Sequence, residues 1–238
     1  MRTQTGKDAI VNTIATHPND YTTTLSALAT VTALASVKHS YVYRNRMWMT
    51  GVSLGIGILL TALNRPLVPL SGLLDLSLDV LGWLVFCAGA ALRIWSSTYI
   101  CNRKSQDVVR TGPYAVCRNP LYWGTFLMVA AFPLFLNSPI LAASMLPVIL
   151  LYLLGVVPVE EAVMASRHGA RYAANCQSVS RWWPNVGGYV QGEPLGGQSV
   201  GYARECFRLR WWLGMAVGFK VLFHFANASW WMHPLHWW

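Results

Sequence analysis

Apolar residues in this chain come in unbroken runs divided by short polar blocks, not at the two-residue period of a half-buried strand. The longest run, Leu121 to Val159, holds 39 residues without one Asp, Glu, Lys or Arg. A membrane-spanning helix takes about 20 apolar residues, so this run has room for two passes. Asn137-Ser138-Pro139 supplies the turn between them. A hairpin that enters and returns has both ends on one membrane face, since lipid offers the backbone no partner outside its own helices. The polar block Gly112 to Tyr122 is thereby predicted to meet Glu160-Glu161 at a membrane surface.

The remaining runs are shorter. Met47 to Leu63 predicts a span closed by Asn64-Arg65-Pro66, and Leu78 to Ile100 a second, expected to leave the hydrocarbon near Arg93 for the headgroup layer or the protein interior. Trp211 to Ala226 is interrupted by Lys220 and His224; it spans if Lys220 snorkels and otherwise lies in the interface. Thr22 to Val37 is uncharged but weakly hydrophobic, which suits an interfacial or packed helix. Glycines crowd between Asn185 and Gly201, predicting a loop.

Composition narrows the class. Hydrophobic residues make up 54% and charged residues 11%, with a mean hydropathy of +0.37, against about 25% charged in soluble domains. The expected fold is an all-α polytopic transmembrane helical bundle of about four to five spans, with the helical hairpin carrying a site at its charged ends. Met1 to Asp8 has no apolar core of the signal-peptide kind and the end has no lipidation motif, so attachment is expected from the spans themselves.

Basic residues then set the orientation. Lys38, Arg44 and Arg46 precede the first span; Arg103, Lys104, Arg110 and Arg118 lie between the second and third; Arg167, Arg171, Arg181, Arg204, Arg208 and Arg210 follow the fourth. The opposite connections carry only Arg65. The basic loops, and the site with them, are expected on the cytoplasmic side of a bacterial cytoplasmic or endoplasmic reticulum membrane. The formal net charge of +9 is accounted for by topology and attraction to anionic membrane lipids, and calls for no nucleic acid.

Gly112-Pro113-Tyr114, Arg118-Asn119-Pro120-Leu121-Tyr122, the apolar hairpin, Glu160-Glu161, Gly169 with Tyr172, and Arg181-Trp182-Trp183-Pro184 stand in one order over about a third of the chain. Together they resemble the isoprenylcysteine carboxyl methyltransferase and phospholipid methyltransferase superfamily. The resemblance implies an integral-membrane enzyme using S-adenosyl-L-methionine, with a lipophilic or small-molecule methyl acceptor and no metal. It divides the chain into an N-terminal membrane region (1–98), a catalytic core (99–184) and a Trp-rich C-terminal extension (185–238). By the resemblance, Tyr99, Gln106, Asp107, Val108, Val109, Tyr114, Asn119, Pro120, Leu121, Tyr122 and Glu160 bind the cofactor.

These residue types also suit the ligand. Its ammonium group seeks a carboxylate, its carboxylate seeks cationic or N–H donors, and its adenine and sulfonium suit aromatic faces. A carboxylate pair at the end of a span is costly unless cations or ligand match it, which favours a functional Glu160 and Glu161 over two groups merely in water. Arg118 reads equally as a site residue and as a topology determinant or phosphate anchor. Methyl transfer from a sulfonium needs no covalent enzyme nucleophile; Glu161 is the candidate base for a protic acceptor, and Arg118 and Glu161 are the candidate catalytic pair.

Two positions depart from the family pattern. Asn119 stands where His is usual, so it hydrogen-bonds but does not titrate. Val156 stands where prenylcysteine enzymes carry an Arg, which speaks against a carboxylate acceptor. A membrane reductase of the sterol-reductase type, using a nicotinamide cofactor, and a non-catalytic protein on the same scaffold are the alternative readings. The five cysteines form no Cys-x-x-Cys pair and read as ordinary thiols. His233 and His236, split by Pro234, predict no metal site. The Trp pairs beginning at Trp182, Trp211, Trp230 and Trp237 read as an interfacial belt.

Overall fold

A computed structural model describes residues 41–64, 72–101, 107–192 and 198–226. Thr22 to Val37, Gln106, the two C-terminal histidines and the last two Trp pairs lie outside the described residues. Among the described residues the regular structure is helical, with no strand. The helices are α1 (Tyr41–Leu63), α2 (Leu73–Ile100), α3 (Pro113–Val116), α4 (Pro120–Phe135), α5 (Pro139–Leu150), α6 (Val157–Ser178) and α7 (Gln198–Ala226).

The hairpin forms, but its arms are unequal. Three helical stretches are long and apolar enough to cross a membrane: Arg44–Leu63, Leu73–Ile100 and the continuous Pro139–Ser178. The first arm, α4, has 16 residues. At 1.5 Å per residue it rises about 24 Å, short of a hydrocarbon core of about 30 Å. Pro120 fixes its start, and Asn137, in the left-handed region at φ 46°, turns the chain after its end. Its most extensive partner is α2, so protein covers its flanks. The second arm is 40 residues long and kinked at Gly169, so its first 30 residues rise about 45 Å, more than the hydrocarbon thickness. Glu160 falls 21 residues past Pro139, a rise of about 32 Å, so the carboxylate pair emerges where the hydrocarbon ends. Leu151–Val156 is a π-type stretch joining α5 to α6. Pro158 follows it, and with no N–H to give and a ring that crowds the preceding turn, proline favours a widened turn there.

Small residues let the helices touch. A Cβ on Gly89 would lie 2.7 Å from the Gly124 carbonyl oxygen, and one on Gly124 would lie 2.8 Å from that of Gly89. In lipid, where apolar burial does not drive helices together, such close approach supplies the packing energy. Polar contacts add to it: Ser53 Oγ donates to the Ser144 carbonyl at 2.6 Å, and the Thr61 and Ser138 hydroxyls are 2.8 Å apart, fastening α1 to the start of α5.

α7 crosses the bundle antiparallel to α2, held by an ion pair at each end. Arg93 Nε lies 2.7 Å from Glu205 Oε1, and Lys220 Nζ lies 2.6 Å from Asp79 Oδ1. Lys220 therefore does not snorkel: it is matched inside the bundle and also donates to the Phe135 carbonyl at 3.4 Å. With this pairing and the bond from the Asn137 amide to Asp75, both aspartates in the first turns of α2 have partners. Trp212 packs face to face with Phe132 at 6.1 Å in the core formed by Phe86, Met128, Phe135, Leu141 and Ala216. Its neighbour Trp211 is exposed as an interfacial residue would be, and so is Trp183 of the pair at Trp182.

Candidate active site

Four segments converge where α4 starts and α6 leaves the bilayer. They enclose a cavity of about 330 Å³ lined by Asp107, Val108, Val109, Tyr114, Arg118, Asn119, Leu121, Tyr122, Glu160 and Glu161, all expected from the sequence. The same cavity is lined by Ile100, Val159, Val163, Met164, Arg167, Tyr172 and Asn175, which sequence reasoning did not assign. Positions 160, 163, 164 and 167 follow helical spacing, so the period continued past Glu160 was the signal available for them. Tyr99 and Pro120 do not line it. Tyr99 packs behind it with Val109 and Tyr114, its hydroxyl donating to the Gly192 carbonyl at 3.1 Å, and Pro120 is buried as the first residue of α4.

The two glutamates, neighbours in sequence, have different surroundings. Glu161 is clamped: Arg118 Nε reaches Oε1 at 3.1 Å, Arg181 Nη2 reaches Oε2 at 2.5 Å, and Asn119 Nδ2 approaches Oε1 at 3.5 Å. Arg118 also donates through Nη1 to the Cys176 and Val179 carbonyls at 3.1 and 2.8 Å, a cation closing the C-terminal end of α6. Glu160 Oε2 accepts from the Tyr122 hydroxyl at 2.9 Å. Among the described residues no lysine or arginine stands within 4 Å of its carboxylate.

Above them Tyr114 is 7% exposed, and its hydroxyl has no hydrogen-bond partner among the described residues. Burial pushes its phenol above the ordinary value, the nearby Cys117 adds to this and Arg93 opposes it, so the group is a neutral hydroxyl. Burial likewise raises the Cys117 thiol.

Gly169 closes the cavity. Its φ of 46° and ψ of −124° fall where residues with a Cβ are strained, and the helix bends back there. The bend carries Tyr172 and Asn175 over the cavity, where Asn175 Oδ1 accepts from Arg110 Nε at 3.2 Å and Arg171 pairs with Asp107 at 3.1 Å. Gly169→Ala is expected to cost about 1–3 kcal/mol. This should appear as a lower unfolding temperature in detergent, and an unchanged one would show that the bend is unstrained.

A strap after α6 completes the frame. The Arg118 N–H donates to the Ser180 carbonyl, the Asn185 N–H to that of Val116, and the Gly112 N–H to that of Val190, at 2.9 to 3.0 Å. Trp123 Nε1 donates to the Trp182 carbonyl at 2.7 Å. The segment from Ser180 to Gly192 thus lies against the loop that carries Tyr114.

Residues 76–171 match the model of the phospholipid methyltransferase family. The match covers 96 of the 238 residues. The chain is also 25% identical over 138 residues to the nickel-cobalt-cadmium resistance protein NccN of Alcaligenes xylosoxydans xylosoxydans, covering 58% of this chain and 64% of that protein. It therefore spans slightly less than two thirds of that relative's length. It is 26% identical over 196 residues to the cobalt-zinc-cadmium resistance protein CzcN of Cupriavidus metallidurans, covering 78% of this chain and 85% of that protein. No solved structure matches. The phospholipid methyltransferase segment holds most of α2, all of α3 to α5, and α6 as far as Arg171. Arg181, the strap and all of α7 fall outside it.

Proposed function

We propose that the cavity binds S-adenosyl-L-methionine and that the protein transfers a methyl group to a lipophilic or small-molecule acceptor at the cytoplasmic membrane face. One observation carries this reading: within a methyltransferase-family segment, a carboxylate without a cationic partner among the described residues, Glu160, shares a small cavity with the partnerless hydroxyl of Tyr114. Both are groups that a ligand with an ammonium group and polar atoms would satisfy. Ile100, Leu121, Val159 and Val163 add apolar surface for a flat ring, and the volume falls in the range of small-ligand sites, about 300–1,000 Å³.

When bound, the cofactor supplies an electrophilic methyl group on a sulfonium. The chain's own part is then to hold an acceptor atom in line and exclude water, which calls for rigid walls more than for a nucleophile. We assign Glu160 to the ammonium group and Tyr122 to orienting Glu160. Glu161 and Arg118 become positioning residues: the Glu161 oxygens already accept from Arg118, Arg181 and Asn119, which suits a clamp better than proton uptake. Asn119, in the usual histidine position, fits this part because its amide donates to both Glu161 and the Arg181 carbonyl. Val156 is 1% exposed, packed in the helix core, so no cation at that position receives an acceptor carboxylate. The two relatives are named for resistance to metal cations; the chemistry proposed here draws on no metal ligand.

The test is the shift in unfolding temperature of the purified protein with S-adenosyl-L-methionine or NADPH, since only a ligand that binds the native state stabilises it. At a concentration 100 times Kd the expected stabilisation is about 2.7 kcal/mol for S-adenosyl-L-methionine. A shift with NADPH alone would favour a reductase, and no shift with either ligand would favour a non-catalytic scaffold.

A further inference from the structure

We infer that Glu205, on α7 outside the matched family segment, sets the charge of the cavity floor by neutralising Arg93, and so governs how well the site accepts a cationic ligand. This rests on the methyl-transfer reading above.

The pair does not line the cavity but is linked to it through Thr125. Arg93 is 9% exposed and Glu205 1%. Arg93 Nε donates to Glu205 Oε1 at 2.7 Å, and Nη1 donates to Thr125 Oγ1. Thr125 Oγ1 in turn donates to the carbonyl of Leu121 at 3.0 Å, and Leu121 lines the cavity. One helical turn therefore separates the guanidinium's anchor from the floor. Space for the Arg93 stem exists because position 124 is glycine: a Cβ there would lie 2.6 Å from Arg93 Cγ. The Tyr114 hydroxyl on the cavity wall feels both charges, Arg93 favouring its ionisation and Glu205 opposing it.

The Arg93 guanidinium is a cation with five N–H donors and no acceptor. A ligand carrying a sulfonium brings a second positive charge into the same weakly screened region. Glu205 cancels the first. The exposed guanidinium of Arg208, 3.3 Å from Glu205 Oε2, lies on the outer side and is screened by its exposure. A buried pair of this kind is weak as a source of stability, because apolar residues of similar volume often serve as well. A role in charge gives a reason for it that packing does not.

The pair's role separates from a structural one by comparing S-adenosyl-L-methionine with S-adenosyl-L-homocysteine, which has the same frame and a neutral sulfur. Calorimetry would measure both affinities for the folded parent, Glu205→Gln, Arg93→Gln and the double variant. Glu205→Gln is expected to weaken the sulfonium ligand relative to the neutral one by roughly five- to fifteen-fold, as an uncancelled unit charge would if it acted from about 10–15 Å at an effective dielectric constant of about 20. Arg93→Gln is expected to shift the ratio the other way, and the double variant to restore the parent's. Should Glu205→Gln fail to fold, Arg93→Gln, in which Glu205 keeps Arg208, carries the test through its opposite sign. Equal losses for both ligands, with the ratio unchanged, would make the pair a structural staple and overturn the inference. A parent that binds neither ligand is a different result, and it removes the methyl-transfer reading itself.

Discussion

Replacing Glu160 with glutamine is expected to weaken S-adenosyl-L-methionine binding by about ten- to a hundred-fold. Glutamine keeps the size of the side chain and an acceptor oxygen for Tyr122, which donates to Glu160 at 2.9 Å, so the cavity should persist. What is lost is the charge, and a hydrogen bond to a charged group contributes roughly 1.5–3 kcal/mol. The loss should be visible by calorimetry on detergent-solubilised protein whose unfolding temperature matches the parent's. Glu161→Gln should behave differently, since Glu161 already faces Arg118 and Arg181 and its substitution acts first on stability. Parent-like affinity in Glu160→Gln would remove the assignment of the ammonium group to this carboxylate.

Arg118→Met is expected to have the largest effect on folding. Arg118 and Glu161 are each 11% exposed at the side chain, and the guanidinium also serves the Cys176 and Val179 carbonyls. Removing one partner of a buried pair costs about 3–5 kcal/mol; the residual exposure and the remaining Arg181 contact place the expectation near the lower end, about 3 kcal/mol. Because the bonds tie α6 to the loop before α4, the cavity should open as well, and ligand-induced stabilisation should vanish with it. Thermal unfolding with and without ligand checks both parts. A variant with the parent's unfolding temperature would show that the clamp is dispensable.

Much of the site is legible along the chain because its residues sit at the polar ends of apolar runs. Asn119, Leu121 and Tyr122 open one run and Glu160 follows the other, so hairpin geometry alone brings them together. Tyr172 and Asn175 are harder to place. They reach the cavity past a kink at Gly169, and a glycine in a polar helical stretch does not announce which way the chain turns. The unlike surroundings of Glu160 and Glu161 were also out of reach. Adjacent residues on a helix point about 100° apart, and which of the two meets arginines depends on where Arg118 and Arg181 arrive in space.

The membrane count shows the same division. Freedom from charge marked the hairpin correctly, since burying unpaired charge in lipid is expensive and sequences avoid it. The same rule made Arg93 look like the point where a span leaves the hydrocarbon and Lys220 like an interruption of the last run. Their cost disappears once each meets its opposite, and the partners lie 112 and 141 residues apart in the chain. What the sequence alone determined was therefore local: helical runs, a turn, and polar ends on a common face, all set by backbone hydrogen bonding and by the exclusion of charge from hydrocarbon. The tertiary structure decided which charges are matched, which of the two glutamates meets arginines, and that α7 stands beside α2 and α4, because those outcomes depend on pairwise distances between residues remote in the chain.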